Sequence, residues 1–154
     1  MSEALKHGAI TDAVIGAAFE VHNVLGYGFL EKVYQRAMQV ELQRRGPAAE
    51  IEFPVKVRYK GEQVGDFFAD LLVAGCVVVE LKVAKVYNPK DEAQLLNELK
   101  GSGIEVGLLI NFGEQRAASQ TIHVYAASPA AAEGGPGDTI ERMAEGGPLM
   151  SGHG

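Results

Sequence analysis

The chain has 154 residues, a hydrophobic share of 47% and a formal net charge of −6, the profile of one ordinary globular domain long enough to bury a real core. Its apolar uncharged run Leu71 to Val79 is far too short to cross a bilayer, and its acidic balance argues against a broad basic face that wraps a nucleic-acid duplex. The single cysteine, Cys76, allows no internal disulfide and reads as a small filler rather than a nucleophile.

Met1 to Lys6 has no basic region followed by an apolar run, so no secretory signal is expected and the cytoplasm is the default location. Thr11 or Asp12 can cap a first helix, whose apolar positions Val14, Ile15, Ala18, Phe19, Val21 and Leu25 follow helical spacing to Gly26. After the Gly26 and Gly28 turn, Leu30, Val33, Tyr34, Ala37, Met38 and Leu42 predict a second helix that stops near Arg45. Ile51, Phe53, Val55, Val57 and Tyr59 alternate with polar residues as a half-exposed strand, and Pro54 places it at an edge or a bulge. Lys60-Gly61-Glu62 turns it into a strand through Phe67 to Val73. Ala74-Gly75-Cys76 then joins that strand to another, Val77 to Val83. Asn88 or Asp91 can cap a helix running to Gly101; Val106 to Phe112 and Thr121 to Tyr125 are further apolar strands. The predicted order is α-α-β-β-β-α-β-β, in one domain over residues 1–125.

Beyond that point, residues 126–154 form a Gly/Pro/Ala-rich tail that repeats Ala-Glu-Gly-Gly-Pro at Ala132 and Ala144. Such a segment buries too little to offset its ordering entropy, so a disordered appendage is expected, with at most a helical turn over Thr139 to Ala144. The tail holds Arg142 against Glu133, Asp138, Glu141 and Glu145, leaving 13 basic and 16 acidic residues before it. Even the folded part is net negative.

Chemistry concentrates in the hairpin. If Val73 faces Val77 across the loop, Asp70 lies opposite Glu80, and strand alternation puts Glu80 and Lys82 on the same face as Asp70. The residues between the two acids are uncharged and mostly large and apolar, as in a strand covered on both sides, where charges are costly unless something pairs them. Mg²⁺ commonly takes one or two carboxylates, and an adjacent lysine can orient the attacking water and stabilise charge on phosphorus. A partly buried ion pair, with Lys82 neutralising one acid, fits the same spacing equally well.

The spacing Asp70, then Glu80-x-Lys82, resembles the PD-(D/E)XK nuclease superfamily. Gly28-Phe29-Leu30-Glu31-Lys32-Val33-Tyr34 further resembles the Gly-x-x-Glu-x-x-Tyr signature of the GxxExxY proteins, a bacterial and archaeal branch of it. Phe19 to His22, Glu92 to Asn97 and Val106 to Gly113 fit the same family in the same order. The resemblance implies an α/β (α+β) nuclease-like core, a mixed central sheet flanked by helices. It implies a Mg²⁺- or Mn²⁺-dependent nuclease acting on DNA or RNA, with Glu31, Asp70, Glu80 and the Leu81 carbonyl at the metal, Lys82 at the water and Gln94 supporting phosphate geometry.

Each supporting residue also has a plain structural reading. Glu31 in a first helical turn suits the helix dipole without any catalysis. Tyr34, one turn on, either bonds a carboxylate or phosphate or fills the core. His22 lies on a largely apolar stretch, where packing is the commoner role than metal ligation. Four residues beyond Gln94, where related nucleases carry Tyr, stands Glu98, which adds negative charge. Lys82, Lys85, Lys90, Lys100, Arg36, Arg44 and Arg45 form either a narrow phosphate track or solvated faces. The alternative to an enzyme is a noncatalytic binding or dimerisation module on the same fold. Small nucleases often need a second subunit to complete a channel, which leaves a homodimer as an open expectation.

Overall fold

The fold was analysed in a computed structural model that describes residues 7–86, 88–113, 121–126 and 141–145. Met1 to Lys6 and most of the Gly/Pro-rich tail lie outside the described residues. Along the chain run α1 (Gly8–Leu25), α2 (Glu31–Arg45), β1 (Ala49–Tyr59), β2 (Glu62–Val73), β3 (Val77–Lys82), α3 (Pro89–Ser102), β4 (Val106–Asn111), β5 (Thr121–Ala126) and β6 (Glu141–Glu145). The first eight elements occur in the predicted order.

The strands form one mixed sheet in the order β1-β2-β3-β4-β5-β6. Only the β3/β4 pair is parallel among the described strands, and α3 makes the crossover that a parallel pair requires. Val73 faces Val77 across the Ala74-Gly75-Cys76 loop, as the sequence predicts. Left-handed backbone at Ala74 and Gly75 lets the chain reverse there, and the Cys76 amide donates to the Val73 carbonyl at 3.1 Å. Pro54 sits on β1, which is an edge strand.

Two local expectations are corrected and an open alternative is settled. Helix α1 begins at Gly8, earlier than a cap at Thr11 or Asp12 allows; its cap position, His7, offers no side-chain bond, and the Thr11 hydroxyl instead donates to the His7 carbonyl. Of the two proposed caps for α3, Asn88 is used: its side-chain oxygen accepts from the Lys90 amide at 3.0 Å. The segment Glu141–Glu145, where a helical turn was expected, is a strand paired with β5. Pairing there satisfies backbone groups that the outer edge of β5 otherwise leaves open.

Two apolar clusters hold the sheet between helices. Val77, Val79 and Leu81 of β3 enter the larger one with Val14, Ala17, Ala18, Tyr34, Met38 and Leu42 of α1 and α2. Val78 enters the smaller one with Leu95 and Leu99 of α3. The even-numbered face of β3, which carries Glu80 and Lys82, is therefore the α3 face. Among the described residues no helix is long and apolar enough to cross a membrane.

Tyr34 ties the α1–α2 turn to the core. Its ring is fully buried and stacks on Phe112 at 4.4 Å between centroids, while its hydroxyl donates to the Gly26 carbonyl at 2.7 Å and accepts from the Phe29 amide at 3.4 Å. Its structural reading is thus the one realised, and it fixes where α2 begins. Tyr34→Phe keeps the stack and removes both bonds, so a loss of about 1 kcal/mol in unfolding free energy is expected from urea melts.

Candidate active site

Asp70 occupies a break in the sheet. The β2/β3 ladder ends at Leu71↔Val79, and the β1/β2 register skips from Ile51↔Leu71 to Phe53↔Ala69. Opposite the gap, Glu52 is held at a φ of 49°, a conformation that costs a residue with a side chain and bends the strand. The bend shows in the packing: Leu71 and Val73 face the α1/α2 cluster, whereas Phe67 and Ala69 pack under α3.

At the bend the Asp70 side chain takes over from the backbone. Its Oδ2 accepts from the Leu81 amide at 2.7 Å, a short charge-assisted bond in place of the next ladder bond. Its carbonyl, released from the ladder, accepts from Gln35 Nε2 at 2.9 Å. Gln35 is buried on α2, one helical turn after Glu31, so the contact that secures Asp70 also directs the face of Glu31 toward the site. Sequence reasoning missed Gln35; its position four residues after Glu31 is the signal that could have found it.

The remaining groups arrive from three elements. Glu80 and Lys82 lie on β3, Glu31 is the first residue of α2, and α3 contributes Asp91 and Glu98. Lys82 Nζ lies 3.8 Å from Asp91 Oδ1, with both side chains partly exposed. The ion pair foreseen for Lys82 therefore exists, but its acid comes from α3 rather than from the hairpin. In the sequence Asp91 reads only as a cap, and Glu98 only as a departure from pattern.

Burial pushes the Glu80 carboxyl up to about 9, with repulsion from Asp70 and Glu98 and a hydrogen bond with Asp70 adding to it, and Lys82 opposing. Glu31 is raised chiefly by burial and then by Asp70, with Lys82 partly offsetting. Glu98 is raised by burial and by Asp70, against the stabilising bond from Gln94 and the charge of Lys82. Glu80 Oε1 and Glu98 Oε2 are buried without a hydrogen-bond partner among the described residues. Glu31, Glu80 and Glu98 thus share the opposing charge of Lys82, and burial beside like charges disfavours their ionised forms.

Gln94 reaches this group through Glu98: its Nε2 donates to Glu98 Oε1 at 3.2 Å, on the exposed side of α3. There it lines an open groove of about 460 Å³ with Val57, Phe67, Lys90 and Asn97. It does not touch Asp70 or Glu80. Tyr34 and His22 both pack on Phe112, His22 being buried on α1 with its ring stacked toward Phe112 at 6.2 Å.

Downstream of Lys82 the chain is clamped. Asn111 Oδ1 accepts from the amides of Ala84 and Gly113, its Nδ2 donates to the Ala84 carbonyl, and the Phe112 amide donates to the Lys82 carbonyl at 2.8 Å. A Cβ on Gly113 would collide with the Ala84 backbone, so the close approach requires glycine. These bonds hold the end of β3 and with it the base of Lys82.

Among the described residues no three His, Cys, Asp or Glu side chains stand close enough to cage a metal ion. The donor set nevertheless fits a hard divalent cation of the type that takes one or two carboxylates and fills its other positions with water and phosphate. Asp70 and Glu80 are two adjacent oxygen donors, and one Glu80 oxygen lacks a partner.

A helix-flanked mixed sheet that sets an aspartate beside a Glu-x-Lys strand defines a nuclease-type domain. The chain matches the family profile of the PD-(D/E)XK nuclease superfamily over residues 8–124 and belongs to that superfamily. No curated protein and no solved structure matches it significantly.

The raised Glu80 carboxyl makes stability pH-dependent. The folded state binds a proton that the unfolded state has released above about 4.5, so stability is greatest below that pH and falls as pH rises toward about 9. In metal-free buffer the melting temperature is expected to drop steadily from pH 5 to 9, and Glu80→Gln is expected to flatten the slope. A slope unchanged by Glu80→Gln would assign the titration elsewhere.

Proposed function

We propose that the chain is a Mg²⁺- or Mn²⁺-dependent nuclease of the GxxExxY branch, hydrolysing phosphodiester bonds of DNA or RNA in the cytoplasm. The observation that carries this reading is the crowding of Glu31, Asp70, Glu80, Asp91 and Glu98 around Lys82, with a buried Glu80 oxygen left unpaired. A cation relieves that crowding, and the superfamily generally uses divalent metals.

In this reading Asp70 and Glu80 hold the ion with Glu31 facing it from α2. An extended residue directs its N–H and C=O to the same strand edge, so the Leu81 amide bonded to Asp70 supports placing the Leu81 carbonyl on the Asp70 side as a further ligand. The ion supplies charge stabilisation at the phosphoryl oxygen and an acidified water. Lys82, its ammonium released from Asp91, would orient an attacking water and offset negative charge developing on the phosphate. Binding the ion requires Glu80 to lose its proton, so affinity rises with pH.

The Lys82–Asp91 pair favours one competing reading, a noncatalytic module whose lysine is committed to structure. The two readings separate on end-labelled single- and double-stranded DNA and RNA incubated with Mg²⁺ or Mn²⁺. Cleavage that falls at least about 100-fold in Lys82→Ala supports the enzyme; no cleavage across the panel supports the module. Independently, Mn²⁺ at pH 8 is expected to raise the melting temperature of the wild type but not of Asp70→Ala. A gain that survives Asp70→Ala would remove the metal site from this hairpin.

A further inference from the structure

The α1–α2 turn exposes rings that the fold itself does not use. Tyr27 and Phe29 are 52% and 45% exposed, and Leu30 beside them is 78% exposed. The turn is nevertheless rigid: left-handed backbone at Gly26 and Gly28 flanks Tyr27, the Tyr34 hydroxyl grips both ends, and the Phe29 ring meets Tyr34 edge-on at 6.1 Å. Glu31 follows at once. Lys32 and Arg36, each one residue beyond Glu31 and Gln35, form the next stripe of α2; both are exposed and neither is ion-paired among the described residues.

We propose that this turn and stripe are a platform for unpaired nucleotides, which makes single-stranded nucleic acid the substrate class of the adjacent site. The proposal rests on the nuclease reading for its catalytic consequence. Bases removed from a duplex stack present a face to Tyr27 and Phe29, while Lys32 and Arg36 take the phosphates that follow. A duplex keeps its bases stacked on one another and would leave the rings idle. Its charge density also calls for the broad basic surface that a chain of net charge −6 does not have. The rigid turn lowers the ordering cost of binding, because the rings are already displayed. A second copy of the chain fits the patch less well, since a twofold contact would bring Lys32 and Arg36 of both copies into one interface.

Fluorescence anisotropy in Ca²⁺ buffer with short labelled oligonucleotides tests this, using the full chain carrying Lys82→Ala so that substrate stays intact. Single-stranded probes are expected to bind more tightly than the matching duplex, with DNA and RNA arms distinguishing the two sources. Tyr27→Ala and Phe29→Ala are each expected to weaken binding about 5- to 100-fold, and Tyr27→Trp to retain it. Lys32→Glu with Arg36→Glu is expected to weaken binding and reduce its salt dependence. Tyr27 is exposed and outside the core clusters, so its variants report binding at unchanged melting temperature.

Equal binding of duplex, binding indifferent to both rings, or no binding of any probe would overturn the platform. So would a dimer by sedimentation that Tyr27→Ala converts to monomer. Cleavage by the Lys82-intact chain that is unaffected by Tyr27→Ala would leave the nuclease reading standing and the platform refuted. Ring-dependent binding without cleavage in any metal would do the reverse.

Discussion

The bond from the Leu81 amide to the Asp70 carboxylate organises the rest of the site. A backbone donor in the middle of a sheet ordinarily goes to a carbonyl on the next strand; here it goes to a side chain at 2.7 Å. The exchange needs β2 to leave both of its ladders at one residue, and the positive φ of Glu52 on β1 marks the same point from the other side. Once β2 has left, its own carbonyl needs a donor, which Gln35 supplies from α2. One substitution of partners thus couples three strands and a helix. It also brings the Asp70 charge against Glu80, whose carboxyl cannot turn away because Val79 and Leu81 on either side are buried in the opposite core.

That geometry is poor for stability and suited to chemistry. Burying two acids beside each other, with Glu31, Asp91 and Glu98 within electrostatic reach of the same centre, costs folding free energy that repacking with apolar residues would recover. Val78, Leu72, Leu95 and Leu99 show that the α3 face of the sheet is otherwise an ordinary apolar layer. Acids persist in such a layer when a proton or a cation is part of how the protein works. The proton accounts for the metal-free state, since a neutral Glu80 tolerates its surroundings. Loss of that proton would restore a strong oxygen donor at a position the backbone has already fixed.

The hairpin was legible because its cues are local: β-branched runs on both sides of a three-residue loop leave one register that buries both strands. Asn88 was legible as one of two candidate caps, a residue whose side chain can accept from the first turn of a helix. Gln35 was not, because a glutamine on an amphipathic helix reads as surface unless the partner strand is known to lose a ladder bond there. Asp91 and Glu98 required knowing which face of α3 meets the sheet, and Leu95 and Leu99 alone leave the rotation open by a residue or so. The start of α1 was missed because His7 carries no cap to announce it. What escaped was in each case a consequence of tertiary contact rather than of neighbouring sequence.

The spacing Gly28, Glu31, Tyr34 has a mechanical reading that requires no catalysis by its last member. A glycine with left-handed backbone reverses the chain, and three residues later α2 starts. Three residues is close to one helical turn, so the residue that follows the first acid by three points back along the helix toward its N-terminus. At that distance a tyrosine, but not a phenylalanine, both fills the core against Phe112 and returns a hydroxyl to the Gly26 carbonyl and the Phe29 amide. The acid between them is then held at the helix start with its backbone fixed on both sides. Its side chain remains free to face Asp70, because Gln35, one turn further, already occupies the contact with the Asp70 carbonyl. The motif therefore builds a rigid corner and leaves its acid within electrostatic reach of Asp70.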